Sequence, residues 1–254
     1  MSDNVFFQMR PEYRQYLIGS HNFYCEQANS RLLSQFQNID VEARAEADKW
    51  LEDNQHRFNP DKHDPSDFYE KAEDVGFNFY EMLSDMEERT RLSVLAGMFH
   101  EWDKQLREWL SREVNHWHRG ENLKTSIWKA QFLQIIDLLE SFGWDIKHIM
   151  FYPKLDACRL VVNVFKHGNG GAFDVLKSNY PQYLDSGSNT VNPFTGVQQD
   201  TRDYSYLKIT DTDVQEMSDV IIEFWQNVPE NVLKSQFTNP PKWFLDAIQR
   251  DNSN

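Results

Sequence analysis

Arg159, Asn163 and His167 recur at every fourth position within CRLVVNVFKHGNGG, residues 158 to 171, a run that is otherwise mostly apolar. On an α-helix, positions four apart differ by about 40°, so the three side chains fall on one narrow stripe. Together they form a coherent chemical set. An arginine can grip a phosphate through paired N–H donors. A histidine can move a proton near neutral pH, and an asparagine can orient a hydroxyl. Asp156 and Lys166 flank the stripe. The same residues also admit a purely structural reading, which composition alone favours. Arg159 would pair with a carboxylate, Asn163 would bond across a core, and His167 would cap the last carbonyls of its helix.

The elements that must position this stripe can be read from periodicity and punctuation. Pro153 opens a helix at its first turn, where proline is tolerated, and Gly168 ends it. Around the stripe lie Leu155, Cys158, Leu160, Val161, Val162, Val164 and Phe165, a pattern that predicts a buried helix. Upstream, residues 11 to 57 read as helix and 59 to 67 (NPDKHDPSD) as a loop. Residues 68 to 117 read as one long helix, with an apolar face running from Leu92 through Trp102 to Leu110. A further helix is expected from about Asn122 to Phe142, stopped by Gly143. Downstream come a short helix over 172 to 178, a long loop over 180 to 203 and a short extended segment over 204 to 210. Thr210 or Asp211 then caps an amphipathic helix, and 229 to 254 hold short helix and a polar tail. The expectation is an all-α helical bundle over 66–228, an N-terminal helical extension over 1–65, and a short helix with polar tail over 229–254.

Bulk properties narrow the class. The chain has 254 residues, is 40% hydrophobic and contains eight Trp and eighteen Phe, enough for a sizeable core. Its formal charge of −14 argues against a broad basic surface for duplex nucleic acid, but not against a local basic pocket. Two distant cysteines, Cys25 and Cys158, do not make a disulfide framework. The N-terminus lacks the shape of a signal peptide, and no long apolar span occurs, so a cytoplasmic protein without a membrane partner is expected.

The stretch from Arg159 to Gly170 resembles the signature helix of HEPN-like proteins, in which an Arg-Asn pair precedes a His and Gly or Asn often follows it. Residues 92 to 107 are similar to the earlier helix of that family, with Asp103 and Leu106 matching its acidic-x-x-Leu pattern. The segment Tyr-x-x-Leu-Lys-Ile-Thr before a capped helix is similar to the usual end of such domains. The resemblance covers roughly residues 68 to 228. It implies an all-α bundle that homodimerises, and a metal-independent endoribonuclease acting as a toxin or antiviral defence effector. RNA, tRNA included, would be the substrate, and an antitoxin or defence-system protein a partner. It further implies His167 as general acid/base, Arg159 on the scissile phosphate, Asn163 as the polar residue between them, and Asp103 and Lys166 in support. No cofactor and no metal are implied.

The pattern departs from the family at one point. Seven residues separate Arg159 from His167, and Val162 stands where the family's arginine often does, just before Asn163. A second expectation therefore stands beside the first: a non-catalytic helical module that binds a partner protein or assembles a defence complex. Other motifs carry less. His116 and His118 would point about 200° apart on a helix and cannot share one ion. No metalloprotease, nucleophile-elbow, dinucleotide or P-loop motif occurs.

Overall fold

The computed structural model describes residues 4–187, 189–191, 194 and 198–253. The elements are β1 (Val5–Gln8), α1 (Pro11–Arg31), α2 (Ile39–Asn54), α3 (Pro65–Val114), α4 (Glu121–Lys129), α5 (Phe132–Glu140), α6 (Tyr152–His167), α7 (Gly171–Asn179), β2 (Asn189–Val191), β3 (Gln198–Asp200), α8 (Asp211–Asn227), β4 (Asn231–Leu233) and α9 (Lys242–Asn252), joined in places by short 3-10 turns. The fold class is all-α. Its described strands form two antiparallel pairs, β1 with β4 and β2 with β3.

The chain divides into two compact units, Glu26–Val94 and Met1–Cys25 with Leu95–Asn254. These boundaries differ from the expected divisions at 65 and 228. Helices α1 and α2 lie within the expected N-terminal helical segment, preceded by strand β1, which belongs to the larger unit with its partner β4 more than two hundred residues later.

In the smaller unit, α2 approaches α3 at Gly76. A Cβ there would lie 3.0 Å from the Ala43 carbonyl oxygen and 3.1 Å from the Ala47 methyl, so only glycine fits without displacing backbone. Trp50, Phe58, His63 and Phe68 form an aromatic cluster across the loop before α3, with Phe58 and Phe68 edge-to-face at 5.2 Å.

The larger unit is organised around the second half of α3. Leu95, Met98, Trp102, Leu106, Trp109 and Leu110 are buried, as the apolar face predicts. Trp102 meets Phe224 of α8 edge-to-face at 5.0 Å, and Phe224 also meets Trp144 at 5.3 Å. The N-terminal strand is fastened by side chains as well as by β4. Trp109 donates to the Gln8 carbonyl at 3.1 Å, Trp117 donates to the Phe6 carbonyl at 2.9 Å, and Glu113 accepts from the Gln8 amide at 3.0 Å. Arg14 donates to the Val228 and Gln226 carbonyls, closing the C-terminus of α8. At the other end of α8, Thr210 is the cap, one of the two residues expected there, and it forms a reciprocal capping box with Asp213.

The single helix expected over 122–142 is two helices, because the chain leaves helical geometry at Ala130 and Gln131. The break has a clear cause. Arg107, 7% exposed, donates from one Nη to the carbonyls of Ile127 (2.7 Å), Ala130 (2.8 Å) and Trp128 (3.3 Å). Its Nε and other Nη form a bidentate pair with Asp103 one turn earlier, at 2.8 and 3.1 Å. The carbonyls at the end of α4 thus gain a charged donor, and the capping box of Gln131 and Gln134 starts α5. The segment expected to be extended at 204–210 begins as a 3-10 turn, capped by Asp203 accepting from the Ser205 amide at 2.9 Å. The 180–203 loop carries another 3-10 turn, an isolated bridge from Leu184 to Leu207 and the β2–β3 pair, while 188, 192–193 and 195–197 lie outside the described residues.

Replacing Arg107 by Met keeps the apolar stem but strands Asp103 and the carbonyls at the end of α4. The expected loss is about 3 kcal/mol, the range for breaking a buried charge pair. Urea unfolding should read it as a lower midpoint with an unchanged slope.

Candidate functional site

Helix α6 places the stripe that the sequence singles out. Its apolar positions behave as expected: Leu155, Ala157, Cys158, Leu160, Val161, Val162 and Val164 are all buried. Burial pushes the Cys158 thiol up, so it remains a protonated filler of the core. The burial does not extend to the end of the helix. Phe165, Lys166 and His167 are exposed, and Gly168 closes the helix at φ +71°. A Cβ on Gly168 would lie 3.6 Å from the Tyr204 ring, and the Asn169 side chain accepts from the Tyr204 amide at 2.9 Å. The turn at 203–206 therefore packs directly against the exit of α6.

Arg159 is half-buried and already engaged. Its Nε and one Nη donate to the same Asp156 oxygen at 2.9 and 2.6 Å, and both side chains are 16% exposed. Tyr180, at the end of α7, donates to the other Asp156 oxygen at 3.3 Å. The guanidinium lies 5.4 Å from the Phe132 ring centroid, at the start of α5. Tyr152 sits close by, its hydroxyl pushed up to about 12 by burial and by the Asp156 charge, against the opposing pull of Lys147 and Arg159. Tyr180 is raised for the same two reasons.

The side chains of Asn163, half-buried one turn later, and His167, exposed two turns later, have no hydrogen bond or ion pair among the described residues. The same is true of Lys166. The structure thus keeps Arg159, Asn163 and His167 on one helix face, with the first neutralised and the other two open. It does not bring Asp103 to them. That carboxylate is taken by Arg107, and no ion pair or hydrogen bond joins it to Arg159 or His167. Val162 points into the core at 2% exposure, so an arginine at that position could not reach the surface stripe.

Sequence reasoning missed Tyr180 and the pairing of Arg159 with Asp156. The three-residue spacing of Asp156 and Arg159 on one helix was the signal for the latter. Tyr180 reaches the pair only through the fold. His116 and His118 lie beyond the end of α3 rather than on it. His118 donates to Asp251 of α9 at 2.9 Å, and Asp251 also accepts from the Asn122 and Leu123 amides and the Asn122 side chain, which caps α4. No group of three or more His, Cys, Asp or Glu residues among those described is placed to hold a metal ion. No described helix is long and apolar enough to cross a membrane.

A second titratable cluster lies between α1 and α8, with His21 and Ser218 buried and Cys25 half-buried. His21 Nε2 donates to the Ser218 carbonyl at 3.1 Å and lies 2.9 Å from the Ser218 hydroxyl. The Cys25 thiol sits 3.2 Å from that hydroxyl and 3.6 Å from His21 Nε2. Burial lowers the His21 pKa, with the Ser218 carbonyl and Asp219 opposing.

Comparison with protein-family models, with curated proteins and with solved structures returns no match.

Because His21 is held neutral in the folded state, the unfolded state binds the extra proton first as pH falls. The stability that His21 contributes is complete above the ordinary histidine value of 6.5 and is lost as pH drops from there toward the lower folded value. Chemical denaturation between about pH 7.5 and pH 5 should therefore show a steeper decline for the wild type than for His21→Gln. Parallel curves would remove His21 from the acid sensitivity.

Proposed function

We propose that the protein is a HEPN-like, metal-independent endoribonuclease of the toxin or antiviral-defence type, with its active face along α6. The observation that carries this reading is the exposed, unengaged imidazole of His167 at the end of the helix. The unpartnered Asn163 shares its face one turn back, and Arg159 lies a further turn back. In this reading His167 exchanges a proton with the ribose 2′-hydroxyl or the leaving 5′-oxygen. The 2′-oxygen attacks the adjacent phosphorus, the P–O5′ bond breaks, and a 2′,3′-cyclic phosphate remains. Asn163 orients the hydroxyl. Arg159 supports the charge that builds on phosphorus, and Lys166 adds a nearby positive charge. A homodimer would bring a second copy of the face, since among the described residues one chain offers a single open cation, Lys166, beside His167. RNA, including tRNA, is the proposed substrate, with an antitoxin or defence-system protein as the restraining partner.

A second reading is favoured by a different observation. Arg159 is spent on Asp156, which Tyr180 also holds, and Val162 is buried. This is what a non-catalytic module would contain, with the α6 network serving structure and the exposed end of the helix serving a partner protein.

Incubating the protein and His167→Ala with total RNA and tRNA in EDTA separates the two. The ribonuclease reading expects discrete fragments with cyclic or 2′/3′-phosphate ends from the wild type, and at least about a hundredfold slower cleavage by the variant at an unchanged melting temperature. Intact RNA with the wild-type dimer, or equal cleavage by both proteins, would sink it. In the first case Asp156→Asn, expected to destabilise the fold, would support the structural role of Arg159.

A further inference from the structure

A cleft of about 670 Å³ opens where β1, the first turns of α1 and the end of α3 meet, with no residue of α6 in its lining. That volume is in the range of small-molecule sites, about 300–1,000 Å³. Glu113, 6% exposed, lines it as a buried carboxylate with a hydrogen bond to each oxygen. One oxygen accepts from the Gln8 amide at 3.0 Å, and the other accepts from Arg112 Nε at 3.2 Å. Glu113 thereby fixes Arg112, whose guanidinium lies 3.9 Å from the Tyr13 ring centroid. Tyr13 in turn runs nearly parallel to Tyr16, with centroids 6.2 Å apart and planes 20° apart. The outer ring, Tyr16, is 66% exposed. The result is an ordered row of guanidinium, ring and ring, ending in an open aromatic face.

A second arginine completes the lining. Arg10 uses Nε on the Gln8 side chain at 3.2 Å, and its Nη nitrogens have no protein acceptor among the described residues. Glu12 likewise has no hydrogen bond or ion pair there. An open π-face takes a planar ring by stacking. Guanidinium forks take a phosphate. A free carboxylate accepts from vicinal hydroxyls. With Arg112 paired to Glu113 and Arg10 set against Glu12, the lining is close to neutral, and it is the open Nη donors of Arg10, with Arg112 beside them in the lining, that fit a phosphate.

We propose that this cleft is a nucleotide-binding site. The base stacks on Tyr16, the phosphate is held by Arg10 and Arg112, and Glu12 accepts from the ribose hydroxyls. The site is independent of the α6 face and of the activity proposed for it. Either a free nucleotide or the phosphorylated end of an RNA strand offers this chemistry.

Isothermal titration with AMP, adenosine, inorganic phosphate and a 5′-phosphorylated trinucleotide tests the assignment. AMP is expected to bind with a Kd below about 1 mM, with adenosine and phosphate each at least about tenfold weaker. Arg10→Gln and Tyr16→Ala, both at exposed positions, should each weaken AMP about tenfold at an unchanged melting temperature. His167→Ala should leave AMP binding as it is, whatever that variant does to RNA cleavage. A trinucleotide tighter than AMP assigns the site to an RNA end, and one that is equal or weaker assigns it to a free nucleotide. The proposal is overturned by the absence of saturable AMP binding up to about 10 mM, or by wild-type affinity in both variants.

Discussion

The larger unit depends on one buried cation. Arg107 carries a full charge into a region lined by Trp and Phe, which is tolerable only because every side of the guanidinium finds an acceptor. Asp103 supplies the counter-charge from the same helix, and the end of α4 supplies carbonyls that a helix terminus leaves without partners. The consequences run outward from there. Holding those carbonyls ends α4 at Lys129 and allows α5 to begin at Phe132. Phe132 then packs against Phe99 and Trp102 of α3, with centroids about 6 Å away, and its ring lies near Arg159. A polar contact on α3 thus sets the surface against which the polar stripe of α6 rests.

Much of this was legible in the sequence where the cause is local. Pro153 and Gly168 bound α6 because each acts on its own backbone, and the all-round apolar pattern between them predicted burial that the structure contains. The capping box at Thr210 and the buried face of α3 are local in the same sense. The β1 strand was not legible as a strand. Its residues are held by β4, Trp109, Glu113 and Trp117, all distant in the chain, and a four-residue stretch shows little periodicity. Nor was the break at Ala130 and Gln131, since neither residue is a helix breaker and the agent is a side chain on another helix.

The candidate site divides on the same line. The alignment of Arg159, Asn163 and His167 follows from helical geometry and was readable directly. What each side chain touches was not, with one exception. Asp103 lies four residues before Arg107, and that spacing on a helix is a stronger claim on the carboxylate than any distant partner. The resemblance directed attention to Arg159 instead. The neutralisation of Arg159 by Asp156 was likewise available from spacing, whereas Tyr180 enters from α7 through tertiary packing alone.

Charge is the quantity that separates the two readings of the α6 face. The chain is strongly acidic, and near this face most cations are already spent. Arg159 is on Asp156, Lys154 is on Glu216, Lys177 holds Asp200 with the Asp200 and Arg202 carbonyls, and Arg202 is on Asp200. Lys166 remains open beside His167. A polyanion approaching one protomer gains little from so sparse a field, because attraction to nucleic acid scales with the phosphates actually neutralised. On the ribonuclease reading, cleavage must therefore come from an assembly that doubles the open cations and places two imidazoles across one strand. On the module reading the same sparse charge is no obstacle, since a protein partner can be held by Phe165 and the polar residues around it without any phosphate to neutralise. What separates the two readings in physical terms is therefore the number of open cations that the α6 face can present to a phosphate backbone.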